Sequence, residues 1–128
     1  MPEFLSDEWL AAFDRELRAD PTIADRFADS PIAIAQEVID GGSRRGYVVV
    51  LDGEGGRVER DGTVPGDVTF VCDRDTAVAL ARGELNAQRA LTSGRLKLRG
   101  DIDRLGAAAG ALITLGDALG EVRAHTVF

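Results

Sequence analysis

The side chains that could do chemistry are few. The chain carries one histidine, His125, and one cysteine, Cys72. A lone imidazole close to the end of the chain leaves little for a metal site or a His-based triad. Cys72 closes an apolar, strand-like run, Asp67-Val-Thr-Phe-Val-Cys. It would be a nucleophile only if a cationic neighbour lowered its pKa, and a buried, inert thiol is the commoner outcome. Three acid pairs, Asp7 with Glu8, Asp73 with Asp75 and Asp101 with Asp103, have the composition of general acid–base catalysts. Each stands where a helical pattern begins, so capping of orphan N–H groups already accounts for it. Gly53, Gly55 and Gly56 imitate a phosphate loop but lack the Lys-Ser/Thr and the helix that should follow, and they read as a hairpin turn. The expectation is a protein that is not an enzyme, with no catalytic residue, no metal and no cofactor. Alanine at Cys72 or His125 should leave its function unchanged.

Gln36 is the more suggestive polar group. If Ile32, Ile34 and Val38 face a core, the strand period turns Gln36 the same way, and a buried amide must find partners in the backbone or in a ligand.

Periodicity supplies the elements. Ser6 precedes Asp7 and Glu8, and Trp9, Leu10, Phe13 and Leu17 recur at helical spacing to about Ala19. Asp20-Pro21 stops that helix and opens a short turn carrying Ile23 and Phe27. From Ile32 the period becomes two, and Asp40-Gly-Gly-Ser43 is a turn. Gly46 to Leu51 is β-branched and apolar on both faces, with Val49 at its centre, and a short polar strand spans 57–60. The strand at 67–72 leads into two helices, roughly 75–83 and 86–93, with Asn86 as a second N-cap and Leu80, Leu85 and Leu91 on their apolar faces. Leu96 and Leu98 alternate with Lys97 and Arg99 in a one-sided strand. The last helix, about 102–119, carries Ile102, Leu105, Leu112 and Leu115. Gly106-Ala-Ala-Ala-Gly110 inside it either packs closely or leaves room for a guest. The order is that of an α+β domain with helices on one face of a sheet.

At 128 residues the chain is expected to form a single domain over 1–128; 45% hydrophobic and 29% charged residues are an ordinary globular composition. A net charge of −7 argues against nucleic acid and against electrostatic docking on anionic membranes. No signal peptide is visible, and the longest apolar run is too short to span a bilayer. The expectation is a cytoplasmic protein without stable membrane insertion.

Two motifs carry a resemblance to a known family: Gly83-Glu-Leu-Asn-Ala-Gln88, and Gly94-Arg-Leu-Lys-Leu-Arg-Gly100 followed by Asp101. With the strand at 67–72 they resemble the sterol carrier protein-2 (SCP-2-like) family over 67–101, and as an order of elements over roughly 30–105. Ala87 stands where that family usually has proline, and the residues after Gly100 are smaller than usual. The resemblance implies a twisted five-stranded sheet with helices over one face and an apolar tunnel between them. It also implies a bound sterol, fatty acid, fatty acyl-CoA or similar lipid, and it places Gln88 near the ligand.

The ligand-binding residues expected are Gln36, Val49, Phe70, Leu80, Leu85, Gln88, Leu91, Leu96, Leu98, Leu105 and Leu112. The C-terminal helix is expected to be the pocket's mobile cover. A sixteen-carbon chain would gain about 12 kcal/mol gross, at about 0.8 kcal/mol per methylene, and an association cost of about 4 kcal/mol still leaves micromolar affinity. The function expected is non-catalytic carriage of an apolar small molecule, with a weak homodimer left open. A small enzyme or substrate chaperone of a bacterial biosynthetic pathway, using the same pocket, is the alternative. A third reading is an interaction module whose pocket is filled core.

Overall fold

The structure is a computed structural model that describes residues 3–60, 66–101, 103 and 105–128, with backbone alone at 105–109, 112 and 113. Ser6 caps α1 (Asp7–Ala19), its Oγ accepting the Trp9 N–H at 3.1 Å, and Trp9, Phe13 and Leu17 form the buried face. Asp20 accepts both the backbone N–H and the hydroxyl of Thr22, which holds its carboxyl below the usual range and starts α2 (Thr22–Phe27). The strands β1 (Ile32–Asp40), β2 (Ser43–Asp52) and β3 (Gly55–Arg60) form an antiparallel meander.

β4 (Val68–Asp73) then returns to lie parallel to β1, and β5 (Lys97–Gly100) pairs antiparallel with β4, giving the order β3-β2-β1-β4-β5. The mixed five-stranded α+β sheet is thus as expected. Between β4 and β5 run α3 (Arg74–Arg82) and α4 (Ala87–Thr92), capped by Asp73 and Asn86 as their types require. Gly83 ends α3 in the left-handed conformation, φ 76°.

α5 (Leu105–Arg123) extends one turn beyond its expected end. Gly120 interrupts the apolar stripe, but Val122 resumes the phase of Leu115 and Leu119 and is 3% exposed, so tertiary burial carries the helix through the glycine. The expected start at Ile102 lies outside the described residues.

Asp67 ties three strands together. Its carboxylate accepts the Ala33 N–H at 2.8 Å, its N–H donates to the Ala33 carbonyl at 2.7 Å, and its carbonyl accepts the Asp101 N–H at 3.1 Å. At the opposite edge, Asp14 of α1 accepts the Val58 N–H at 2.8 Å and so covers the free side of β3. On the wet face Glu37 is held between Arg44 and Arg99.

The glycine that closes the β5 motif has a definite task. Gly100 has φ +110°, and a Cβ there would lie 2.6 Å from the Asp67 carbonyl oxygen. Gly94 is also left-handed, φ +79°, yet faces open space. Alanine at Gly94 should cost only backbone strain, about 1–2 kcal/mol. Gly100→Ala should cost more, because the clash would part Asp67 from Asp101. Urea unfolding of the two variants checks this, and equal losses would mean that the Asp67 junction yields freely.

Candidate ligand-binding cavity

Between the sheet and the helices lies a cavity of about 290 Å³. Its floor is the inner face of three strands: Ile34, Gln36 and Val38 from β1, Tyr47 and Val49 from β2, and Phe70 from β4. The N-terminal segment and α1 supply an aromatic wall of Phe4, Trp9 and Phe13. Phe4 stands edge-on to Trp9 at 4.9 Å, and Tyr47 meets Trp9 and Phe13 at 5.9 Å each. α3 contributes Ala77, Leu80 and Ala81, and α5 contributes Leu115, Gly116, Leu119 and Arg123. Ala77, Ala81 and Gly116, set among Leu80, Leu115 and Leu119, leave space that larger side chains at those three positions would occupy.

Such a space is costly unless it is occupied. Held dry, about 290 Å³ would cost on the order of 7 kcal/mol at about 24 cal/mol per Å³, comparable to the whole stability of a domain. Filled with water it would hold roughly ten molecules at about 30 Å³ each, and each would want two to four polar partners. The walls offer Gln36, Tyr47, Asn86 and Arg123 as polar side chains, and two of these are engaged elsewhere. Asn86 accepts the Arg89 N–H at 2.7 Å as a helix cap, and Arg123 Nε donates to the Ala81 carbonyl at 2.7 Å. An apolar guest suits the walls better than either alternative.

The remaining polar groups are neutral. Gln36 Nε2 makes two long contacts, to the Glu37 carbonyl at 3.5 Å and to Cys72 Sγ at 3.4 Å. Burial pushes the Cys72 thiol up to about 11, Asp73 adds to the rise, and the bond from Gln36 works against it. Burial, reinforced by Cys72, also raises the Tyr47 phenol far above its ordinary range. Asp73 is held low by the Thr76 backbone N–H that it caps. Among the described residues no group of His, Cys, Asp and Glu side chains could hold a metal ion, and no helix is long and apolar enough to cross a membrane.

A family model described as the SCP-2 sterol transfer family matches residues 10–112. The chain belongs to that family. No curated protein matches the sequence. Among solved structures, a conserved hypothetical protein of Thermus thermophilus, described as possibly a sterol carrier protein, aligns with TM-score 0.69 and 24% identity over 95% of this chain and 91% of that one. Sterol Carrier Protein 2 of Yarrowia lipolytica gives 0.61 and 24% over 88% and 92%. A ubiquinone synthesis protein, UbiJ-SCP2, gives 0.55 and 17% over 94% and 96%. At these identities the likeness is one of SCP-2 fold.

Within this SCP-2 domain, Gln36, Val49, Phe70, Leu80, Leu85 and Leu96 line the cavity. Gln88, Leu91 and Leu98 are not among its lining residues. α4 turns Ala90 inward, which leaves Gln88 exposed, with its carbonyl bonded to the Thr92 hydroxyl. Leu91 and Leu98 are half-buried against the core, and Leu98 pairs with Phe70 on the edge strand. The side chains of Leu105 and Leu112 lie outside the described residues, as do those of 106–109 and 113 in the helix expected to be a mobile cover.

Helical spacing marks Trp9 and Phe13 as the stripe of an amphipathic helix and gives no sign that they wall a cavity. A stripe shows which face of a helix is buried but not whether the space opposite is full. Tyr47 escapes notice because it stands one residue inside an apolar run, and Arg123 because it lies beyond the expected end of the helix.

The raised Cys72 thiol carries a consequence for stability. The unfolded chain loses this proton near 9.0 and the folded chain near 11, so the folded state binds more protons in between. The Cys72 contribution should be level below pH 9 and fall as pH rises from there towards 11, with Tyr47 acting in the same direction at higher pH. Denaturant midpoints measured across that range test this, with Cys72→Ala expected to lessen the initial fall. The native thiol should also resist alkylation that the unfolded chain undergoes readily.

Proposed function

We propose that this SCP-2 domain binds and carries an apolar small molecule, a sterol, a fatty acyl chain or a lipid of similar girth, without transforming it. The observation that carries the reading is the cavity of about 290 Å³, walled by aromatic and aliphatic side chains with small residues, Ala77, Ala81 and Gly116, among them. Each methylene drawn from water would contribute about 0.8 kcal/mol, so affinity grows with buried length and needs no charged anchor. The absence of a catalytic role is inferred from the chemistry of the polar groups: a thiol and a phenol held protonated, and an amide. None is a base or nucleophile near neutral pH.

A second reading uses the same cavity to present a substrate to a biosynthetic enzyme. The shared fold with a ubiquinone synthesis protein is compatible with it. Transfer assays separate the two: a carrier passes its guest to acceptor vesicles unaided, whereas a presenter releases it only to its partner enzyme.

The cavity itself is tested by filling it. Ala77, in the middle of α3 and 6% exposed, faces the space directly. Ala77→Phe should weaken binding of a fluorescent fatty acid by tenfold or more, about 1.4 kcal/mol, while leaving the melting temperature unchanged or raised because void volume is removed. Unaltered affinity in a folded Ala77→Phe protein would place the lipid elsewhere.

A further inference from the structure

Gln36 and Tyr47 stand opposite one another on adjacent antiparallel strands, and both reach the cavity floor. Directly opposed side chains on one face of a sheet lie close enough to act on a single ligand atom. The third residue of that cross-strand row is Phe70, which is apolar.

Their hydrogen-bonding capacity is largely unspent. A glutamine amide can donate two bonds and accept two. Both contacts given for Gln36 involve Nε2: a bond to Cys72 Sγ at 3.4 Å and a contact to the Glu37 carbonyl at 3.5 Å, the outer limit of length for an oxygen acceptor. Among the described residues, Gln36 Oε1 receives no donor and the Tyr47 hydroxyl has no hydrogen-bond partner. Elsewhere around the cavity Asn86 is committed as a helix cap, and Arg123 spends its Nε on the Ala81 carbonyl. No buried side-chain nitrogen or oxygen among the described residues lacks a partner, so these two atoms are reachable from the cavity, where a ligand can meet them.

We propose that Gln36 and Tyr47 together recognise one neutral oxygen, a hydroxyl or a carbonyl, carried into the cavity by the apolar guest. This rests on the lipid-carrier reading and specifies its ligand. A hydroxyl would donate to Gln36 Oε1 and accept from the Tyr47 O–H; a carbonyl would accept from Tyr47 and from the Gln36 amide. A carboxylate would not suit the pair. Tyr47, Gln36 and the adjacent Cys72 are all uncharged, and burying an anion among neutral partners is unfavourable. The one cationic side chain in the wall, among the described residues, is Arg123 of α5, which lies against Gly83 at the end of α3. An acid headgroup belongs there, away from the sheet floor.

The test compares decanol, decane and decanoate, titrated against wild type, Tyr47→Phe and Gln36→Leu, with Trp9 emission as the signal because its ring lines the same cavity. Tyr47→Phe keeps every ring contact and is the decisive variant if Gln36→Leu fails to fold. Each variant should bind decanol roughly 3- to 10-fold more weakly, the range one net hydrogen bond supplies, with decane and decanoate unchanged. Equal effects on decanol and decane, or none on decanol, would overturn the recognition point while leaving the cavity as a lipid site. If none of the three bound to wild type, the carrier reading would fall and this inference with it.

Discussion

The parallel pairing of β1 with β4 is what everything else hangs on, and Asp67 is where it is secured. A parallel neighbour cannot be reached by a tight turn, so the chain must cross over before β4 begins, and the register of the new strand has to be set afresh. Asp67 sets it through paired bonds to Ala33, and its carbonyl then receives Asp101 after the chain has passed through α3, α4 and β5. One residue thus fixes where β4 starts on one side and where β5 ends on the other. The glycine at 100 is the steric counterpart of that junction, since only a residue without a Cβ allows the Asp67 carbonyl so near.

With β4 in that place, α3 leaves the strand at Asp73 and runs back over the inner face of the sheet. What it presents is Ala77 and Ala81, while α1 on the far side presents Trp9 and Phe13. Side chains of such unequal size cannot meet evenly above one sheet, and the shortfall is the cavity. The fold gives up packing enthalpy at its centre that a filled core would keep. The aromatic wall limits that loss, because Phe4, Trp9, Phe13 and Tyr47 support one another edge to face and hold their side of the space open without a guest.

Much of this was legible in the sequence, and the reasons differ by element. Ser6, Asp73 and Asn86 behave as local chemistry dictates, because a capping bond involves residues three apart and little else. The strand at 46–51 declared burial on both faces, and Val48 to Leu51 are all buried. The family resemblance lay in residues 67–101, whose spacing encodes the Asp67 junction. The membership of the cavity was harder to read. Helical phase turned Leu91 inward, but α4 is only six residues long and spends its buried position on Ala90. Gln36 emerged because strand alternation is strict, whereas its partner Tyr47 depends on a pairing register that a single strand does not reveal.

The two ends of the described chain meet beside this cavity. Glu3 and Val127 form a parallel bridge, the Phe4 N–H donates to the Val127 carbonyl at 2.9 Å, and the rings of Phe4 and Phe128 lie 5.4 Å apart. Two ends held this close are what circular permutation of these 128 residues needs. A short peptide could join residue 128 to residue 1, and new ends could open in the turn at Gly41 and Gly42, where a Cβ on either glycine would meet nothing within 4 Å. The rearranged protein would keep its sheet order while Phe4 became an internal residue of a closed loop. Attachments such as a dye, a tether or a second protein would then sit at the β1–β2 turn instead of on the segment that carries Phe4 into the aromatic wall.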